Sequence, residues 1–190
     1  LFEFRLDLIA EPFMSQLFAA ARRGVIATCR PEYEGGAFEG SEEDRMDILE
    51  TASFLGAQYV DIELAAGGTF LQEFLRRKKN SRLIISHHQF DNKVQSVVAL
   101  YNRMRKTGAD VLKLAYQADD ASDMRHAIKF LQLARRENQK AIAIAMGEYG
   151  EASRVLYKKF GGWATFASVD GAIEAAPGQI PVREMKTLYR

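Results

Sequence analysis

Short apolar runs recur along this chain at near-regular intervals, and that recurrence narrows the fold more than any other feature. The runs are Leu1–Ile9, Val25–Arg30, Tyr59–Leu64, Leu83–His88, Val111–Tyr116, Ala141–Met146 and Ala164–Val169. Near-continuous apolarity over about six residues fits strands covered on both faces, as in parallel sheets. Longer segments with helical spacing lie between several of them. Ser41–Gly56 opens on an N-cap serine and keeps Met46, Leu49 and Phe54 near one face. Asp91–Thr107 ends at Gly108, Ala121–Asn138 carries Met124, Ile128, Leu131 and Ala134 on a stripe, and Glu151–Phe160 stops at Gly161-Gly162.

Alternating strands and helices predict an α/β fold with a parallel sheet. A (β/α)₈ barrel of the TIM type needs eight strands. Seven are legible, so the reading is a single barrel domain over residues 1–190 whose first strand lies upstream of Leu1. The competing architecture is an open doubly wound sheet, which needs no missing strand but lacks a Gly-rich phosphate loop after an early strand.

Composition removes several function classes. Twenty-six basic residues against 25 acidic ones leave a formal charge of +1, too balanced to attract nucleic acid or an anionic membrane. No apolar run approaches the roughly 20 residues that span a bilayer, and no signal peptide is visible. The one cysteine, Cys29, permits no internal disulfide, so a reducing, cytoplasmic setting is expected.

Polar residues interrupt the apolar runs with a common parity. Glu3, Arg5 and Asp7 share one side of their strand, as do Thr28 and Arg30, Asp61 and Glu63, and Ser86 and His88. Lys113 sits between Leu112 and Leu114. Buried charge costs several kcal/mol per ion unless paired. Five successive strands carrying polar groups on one side therefore point to a site at the C-terminal ends of barrel strands rather than to isolated core ion pairs.

Two readings stand for Lys113. Desolvation favours a neutral amine that attacks a ketone, whereas a strand-end lysine can also snorkel to water. His88 has the chemistry of a general acid and base near neutral pH. His87, one residue earlier, faces the other way and packs behind the sheet or at its rim. Gly35 and Gly36 allow a tight loop that carries Glu34, a carboxylate able to orient a histidine. Arg154, on the helix after Ala141–Met146, reads by itself as a surface charge, and Pro177-Gly178-Gln179 as a turn.

Taken together and in order, these residues resemble the type I 3-dehydroquinate dehydratases of the shikimate pathway. The likeness rests on Glu3-Phe4-Arg5-Leu6-Asp7, Thr28-Cys29-Arg30-Pro31-Glu32-Tyr33-Glu34-Gly35-Gly36, Tyr59-Val60-Asp61-Ile62-Glu63-Leu64, Ser86-His87-His88-Gln89-Phe90, Ala109-Asp110-Val111-Leu112-Lys113, Ser153-Arg154, Ala164-Thr165-Phe166 and Ala176-Pro177-Gly178-Gln179-Ile180. The resemblance implies that Lys113 forms an imine with a cyclic keto acid. It implies that His88 moves the protons, that Glu34 supports His88, and that Glu3, Arg5, Arg30, Arg154 and Gln179 bind substrate. It implies no metal and no organic cofactor. The chain departs from the family at Ala175, where a serine is usual, and at Gln89.

Some family members continue into a shikimate dehydrogenase domain, and the Lys186-Thr187-Leu188-Tyr189-Arg190 ending suits such a join. A homodimer is also compatible with the reading. The alternatives are another imine-forming barrel such as a class I aldolase, or a barrel without catalysis.

Overall fold

The computed structural model describes residues 1–9, 13–90, 94–171 and 178–189. The chain divides into two compact units, Leu1–His87 with Lys106–Asp110, and His88–Arg105 with Val111–Arg190. Among the described residues, no helix is long and apolar enough to cross a membrane.

In the first unit, four parallel strands follow one another in chain order. They are β1 (Phe2–Arg5), β2 (Val25–Thr28), β3 (Tyr59–Glu63) and β4 (Arg82–Gln89), the last two residues of β4 belonging to the second unit. The register sets Arg5 beside Thr28, Thr28 beside Asp61, and Glu63 beside Ser86. Every residue of β2 and β3 is buried, as expected of strands covered on both faces. Three helices accompany them, α1 (Met14–Ala20), α2 (Glu42–Phe54) and α3 (Gly67–Arg77).

The Ser41 cap is present and is reciprocal. The Asp44 N–H donates to Ser41 Oγ at 3.1 Å, and the Ser41 N–H donates to Asp44 Oδ2 at 3.2 Å. Two otherwise orphaned donors are thereby satisfied. The run expected as a strand over Leu1–Ile9 is shorter, because Leu6–Leu8 turns into a 3₁₀ helix. That turn lets Asp7 reach the backbone N–H groups of Arg30 and Ala37.

The second unit holds α4 (Val97–Arg105), β5 (Val111–Gln117), α5 (Met124–Arg136), β6 (Lys140–Met146), α6 (Glu151–Leu156) and α7 (Val182–Leu188). β5 and β6 pair in parallel along their whole length, with Lys113 opposite Ile142. Leu112, Leu114, Ile142, Phe130 and Leu131 are all at most 2% exposed, with Ile142 on the Lys113 face of this pair and Leu112 and Leu114 on the other. Each such side chain contributes roughly 1.5–3 kcal/mol by leaving water.

Ala164–Val169, expected as a seventh strand, forms no ladder among the described residues. Only Ser168 is bridged, to Pro181. The chain enters α7 at Val182, directly after Pro181, so the pairing stops after one bridge.

Candidate active site

The first unit gathers most of the expected polar residues around Arg30. Thr28 Oγ1 donates to Glu3 Oε1 at 2.9 Å. The Arg5 guanidinium grips Asp7 with Nε to Oδ1 at 2.9 Å and Nη2 to Oδ2 at 2.6 Å. Arg30 is 3% exposed. Its Nη1 donates to Glu63 Oε1 and to Ser86 Oγ, and its Nη2 lies 3.1 Å from Asp61 Oδ2. Ser86 Oγ donates in turn to Asp61 Oδ1 at 2.5 Å. Burial works against the Arg30 cation, but the facing Asp61 and Glu63 charges outweigh it and raise its pKa.

The loop after β2 brings in Glu34, which is 4% exposed. Gly36 is required there, because a Cβ on it would meet the Arg30 carbonyl oxygen at 1.9 Å. Gly35, at φ 76°, ends the short turn that carries Glu34. His87 Nδ1 lies 3.8 Å from Glu34 Oε1, with the histidine part-exposed. His87 therefore sits at the rim of the sheet, one of the two places open to it from sequence.

Asp7 ties this loop to β1. Burial pushes its carboxyl upward, but the Arg5 hydrogen bonds and charge, with the N–H groups of Arg30 and Ala37, hold it below the ordinary 3.8. A depressed folded-state value contributes stability that is complete above 3.8 and is lost as pH falls through the lower folded value. Asp7→Asn is therefore expected to lower stability at pH 7 by about 2 kcal/mol. In urea melts across pH, the gap between parent and variant should narrow below 3.8. A gap of constant size would contradict the charge-based account.

The second unit holds Lys113, His88, Arg154 and Gln179. Lys113 is 5% exposed on β5. Its Nζ stands 4.5 Å from the centre of the Phe166 ring, a cation–π distance. Arg154 Nη1 donates to the Phe166 carbonyl oxygen at 3.5 Å, so Lys113 and Arg154 converge on one residue. Arg154 is 1% exposed, which overturns its isolated reading as a surface charge. Its position follows from Ser153, whose Oγ accepts from the Ala145 N–H at 3.0 Å and fastens α6 to β6. His88 and Gln179 are half-buried. Gly178, beside Gln179, has φ 71°, and a Cβ on it would approach the Gly147 carbonyl oxygen to 2.9 Å. Ala175 lies outside the described residues.

Two participants escaped the reading of the strands. Phe166 was noted only within a motif, with no sign that its ring would meet Lys113. Arg45 has no role in the reading of the sequence above. Its spacing from Leu49 and Ala52, four and seven residues on, was the available signal that it shares their buried face.

The family model for type I 3-dehydroquinase matches residues 1–190. A 3-dehydroquinate dehydratase of Desulfotalea psychrophila is 34% identical over 192 residues, covering 98% of this chain and 84% of that protein. The chloroplastic bifunctional 3-dehydroquinate dehydratase/shikimate dehydrogenase of Arabidopsis thaliana is 36% identical over 165 residues, covering 85% of this chain and 27% of that protein. Among solved structures, the 3-dehydroquinate dehydratase from Geobacillus kaustophilus superposes with a TM-score of 0.86 at 28% identity, over 98% of this chain and 77% of that one. The fold is thus the parallel α/β barrel class of the TIM type, and the chain belongs to the type I 3-dehydroquinase family.

Proposed function

We propose that this chain removes water from 3-dehydroquinate to give 3-dehydroshikimate through an imine on Lys113, acting as one catalytic domain over residues 1–190. The single observation that supports this most is a buried lysine on β5, 5% exposed and set over an aromatic ring, in a member of a dehydratase family.

The Lys113 amine adds to the ring ketone and a water leaves, forming the iminium. The iminium is an electron sink for the adjacent carbon. His88 takes a proton from that carbon, and the electron pair moves onto nitrogen to give an enamine. The enamine returns the pair and expels the β-hydroxyl, which leaves as water with the proton from His88. A second water then releases the conjugated keto acid and restores the amine. The net change is one water lost.

In this reading Glu34 holds the histidine side of the reaction. Arg30 and Arg154 meet the carboxylate and hydroxyl oxygens of the substrate, as bidentate donors do. Glu3, Arg5 and Gln179 complete the substrate contacts. A shikimate dehydrogenase, the activity joined to the dehydratase in the Arabidopsis relative, is the partner activity we propose, in a cytoplasmic setting.

Incubation with 3-dehydroquinate and borohydride, followed by peptide mass spectrometry, tests the central step. A reduced adduct on Lys113 and appearance of the conjugated product are expected. No turnover and no mass increase would overturn the reading.

The histidines test its second step. His88→Ala should still be trapped by borohydride while turnover slows by at least about 10². His87→Ala should stay active. Near-normal turnover without His88 would remove its assigned role.

A further inference from the structure

Arg45 is a fully buried cation that the mechanism above leaves unused. It is 0% exposed and ranks among the largest fully buried side chains of the described residues. Placing a guanidinium in the core costs several kcal/mol unless its partners are well arranged, and here they are. Nη1 donates to Glu63 Oε2 at 2.5 Å and Nη2 to Glu42 Oε2 at 2.6 Å. The Cys29 carbonyl oxygen lies 3.4 Å from Nη1, and the Phe70 ring 4.7 Å from the guanidinium carbon.

Glu63 is the shared member. Its Oε1 accepts from Arg30 and its Oε2 from Arg45, so each oxygen is held by a different guanidinium. We propose that Arg45 is a positioning residue for Arg30, acting through Glu63, and that it lets Arg30 present its positive charge to an anionic substrate. This rests on the reading that Arg30 meets the substrate.

Two physical effects carry the inference. The first is charge. Arg30 faces two buried carboxylates, Asp61 and Glu63. Glu3 and Glu34 add to the negative charge that acts on Arg30. Arg45 offsets one of these charges, so the field that Arg30 presents to the substrate is cancelled less. The second is orientation. With Oε2 held by Arg45, Glu63 cannot turn away, and Arg30 Nη1 stays committed to Glu63 and Ser86. Nη2 is held in the same way, 3.1 Å from Asp61 Oδ2, so the guanidinium keeps one orientation.

A residue that only clamped α2 to the sheet would behave differently. Its loss would lower the fraction of folded enzyme, and with it kcat per mole of chain, at constant KM. The test is steady-state kinetics of Arg45→Lys and Arg45→Gln with 3-dehydroquinate, each normalised to the fraction trapped by borohydride. KM is expected to rise about threefold for Arg45→Lys, which keeps the charge, and about tenfold for Arg45→Gln, with kcat within threefold of the parent. If Arg45→Gln does not fold, Arg45→Lys decides. Unchanged KM in the folded variants overturns the inference, as does a fall in kcat alone. Absence of turnover by the parent protein overturns the functional reading and this inference with it, so the two failures are distinguishable.

Discussion

Lys113→Met is expected to abolish borohydride trapping and to reduce turnover by roughly 10⁴-fold or more, the scale on which loss of a covalent nucleophile is felt. Methionine keeps most of the stem that packs on β5 and removes only the group that forms the imine. The Lys113 Nζ is 4.5 Å from the Phe166 ring centre, a contact that methionine keeps in part through its stem and thioether. A variant that both traps and turns over would place the imine elsewhere.

Glu63→Gln is expected to be the most destabilising of the conservative changes in the first unit. Glu63 is 1% exposed and accepts from two buried guanidiniums. Removing its charge leaves Arg30 and Arg45 short of one anion in a region water does not reach. Breaking a buried pair in this way costs about 3–5 kcal/mol, against a total stability of roughly 5–15 kcal/mol for a domain. At about 2–4 °C per kcal/mol, the melting temperature should fall by roughly 6–20 °C. Glu73→Gln is the control. It also breaks a pair with an arginine, Arg76, but both partners face solvent, so no measurable change is expected. Equal shifts for the two variants would mean that burial is not what makes Glu63 important.

The strands were the most legible part of the sequence. β2 to β6 fall within two residues of the apolar runs at either end, because strands covered on both faces leave a continuous signal. β1 was overestimated, since apolar Leu6 and Leu8 extend the run while Asp7 turns the chain. Helices α1 and α3 were not singled out. α3 begins at Gly67-Gly68, which reads as a breaker, although Phe70, Leu71 and Phe74 do carry its buried face. Ala164–Val169 reads as a strand by composition but makes one bridge among the described residues, because its partner segment turns into α7 at Val182.

The site was legible by parity on β2, β3 and β4, where Arg30, Asp61, Glu63 and Ser86 meet as the two-residue period requires. Parity could not show that Arg154 is buried or that Arg45 enters from a helix, since both depend on tertiary packing that leaves no local trace. It also said nothing of Glu34 and His87, which meet through a loop held by Asp7 and Gly36.

Cys29 gives the protein a built-in clock. It is the lone thiol of the chain and is 0% exposed. Burial, with the Asp7 charge adding to it, pushes the thiol up to about 12, so the nucleophilic thiolate is scarce while the chain is closed. Alkylation must wait for the segment between Thr28 and Arg30 to open, and its rate counts those openings. The loosening of this strand end in any variant can thus be timed with a simple thiol reagent, without adding a foreign probe.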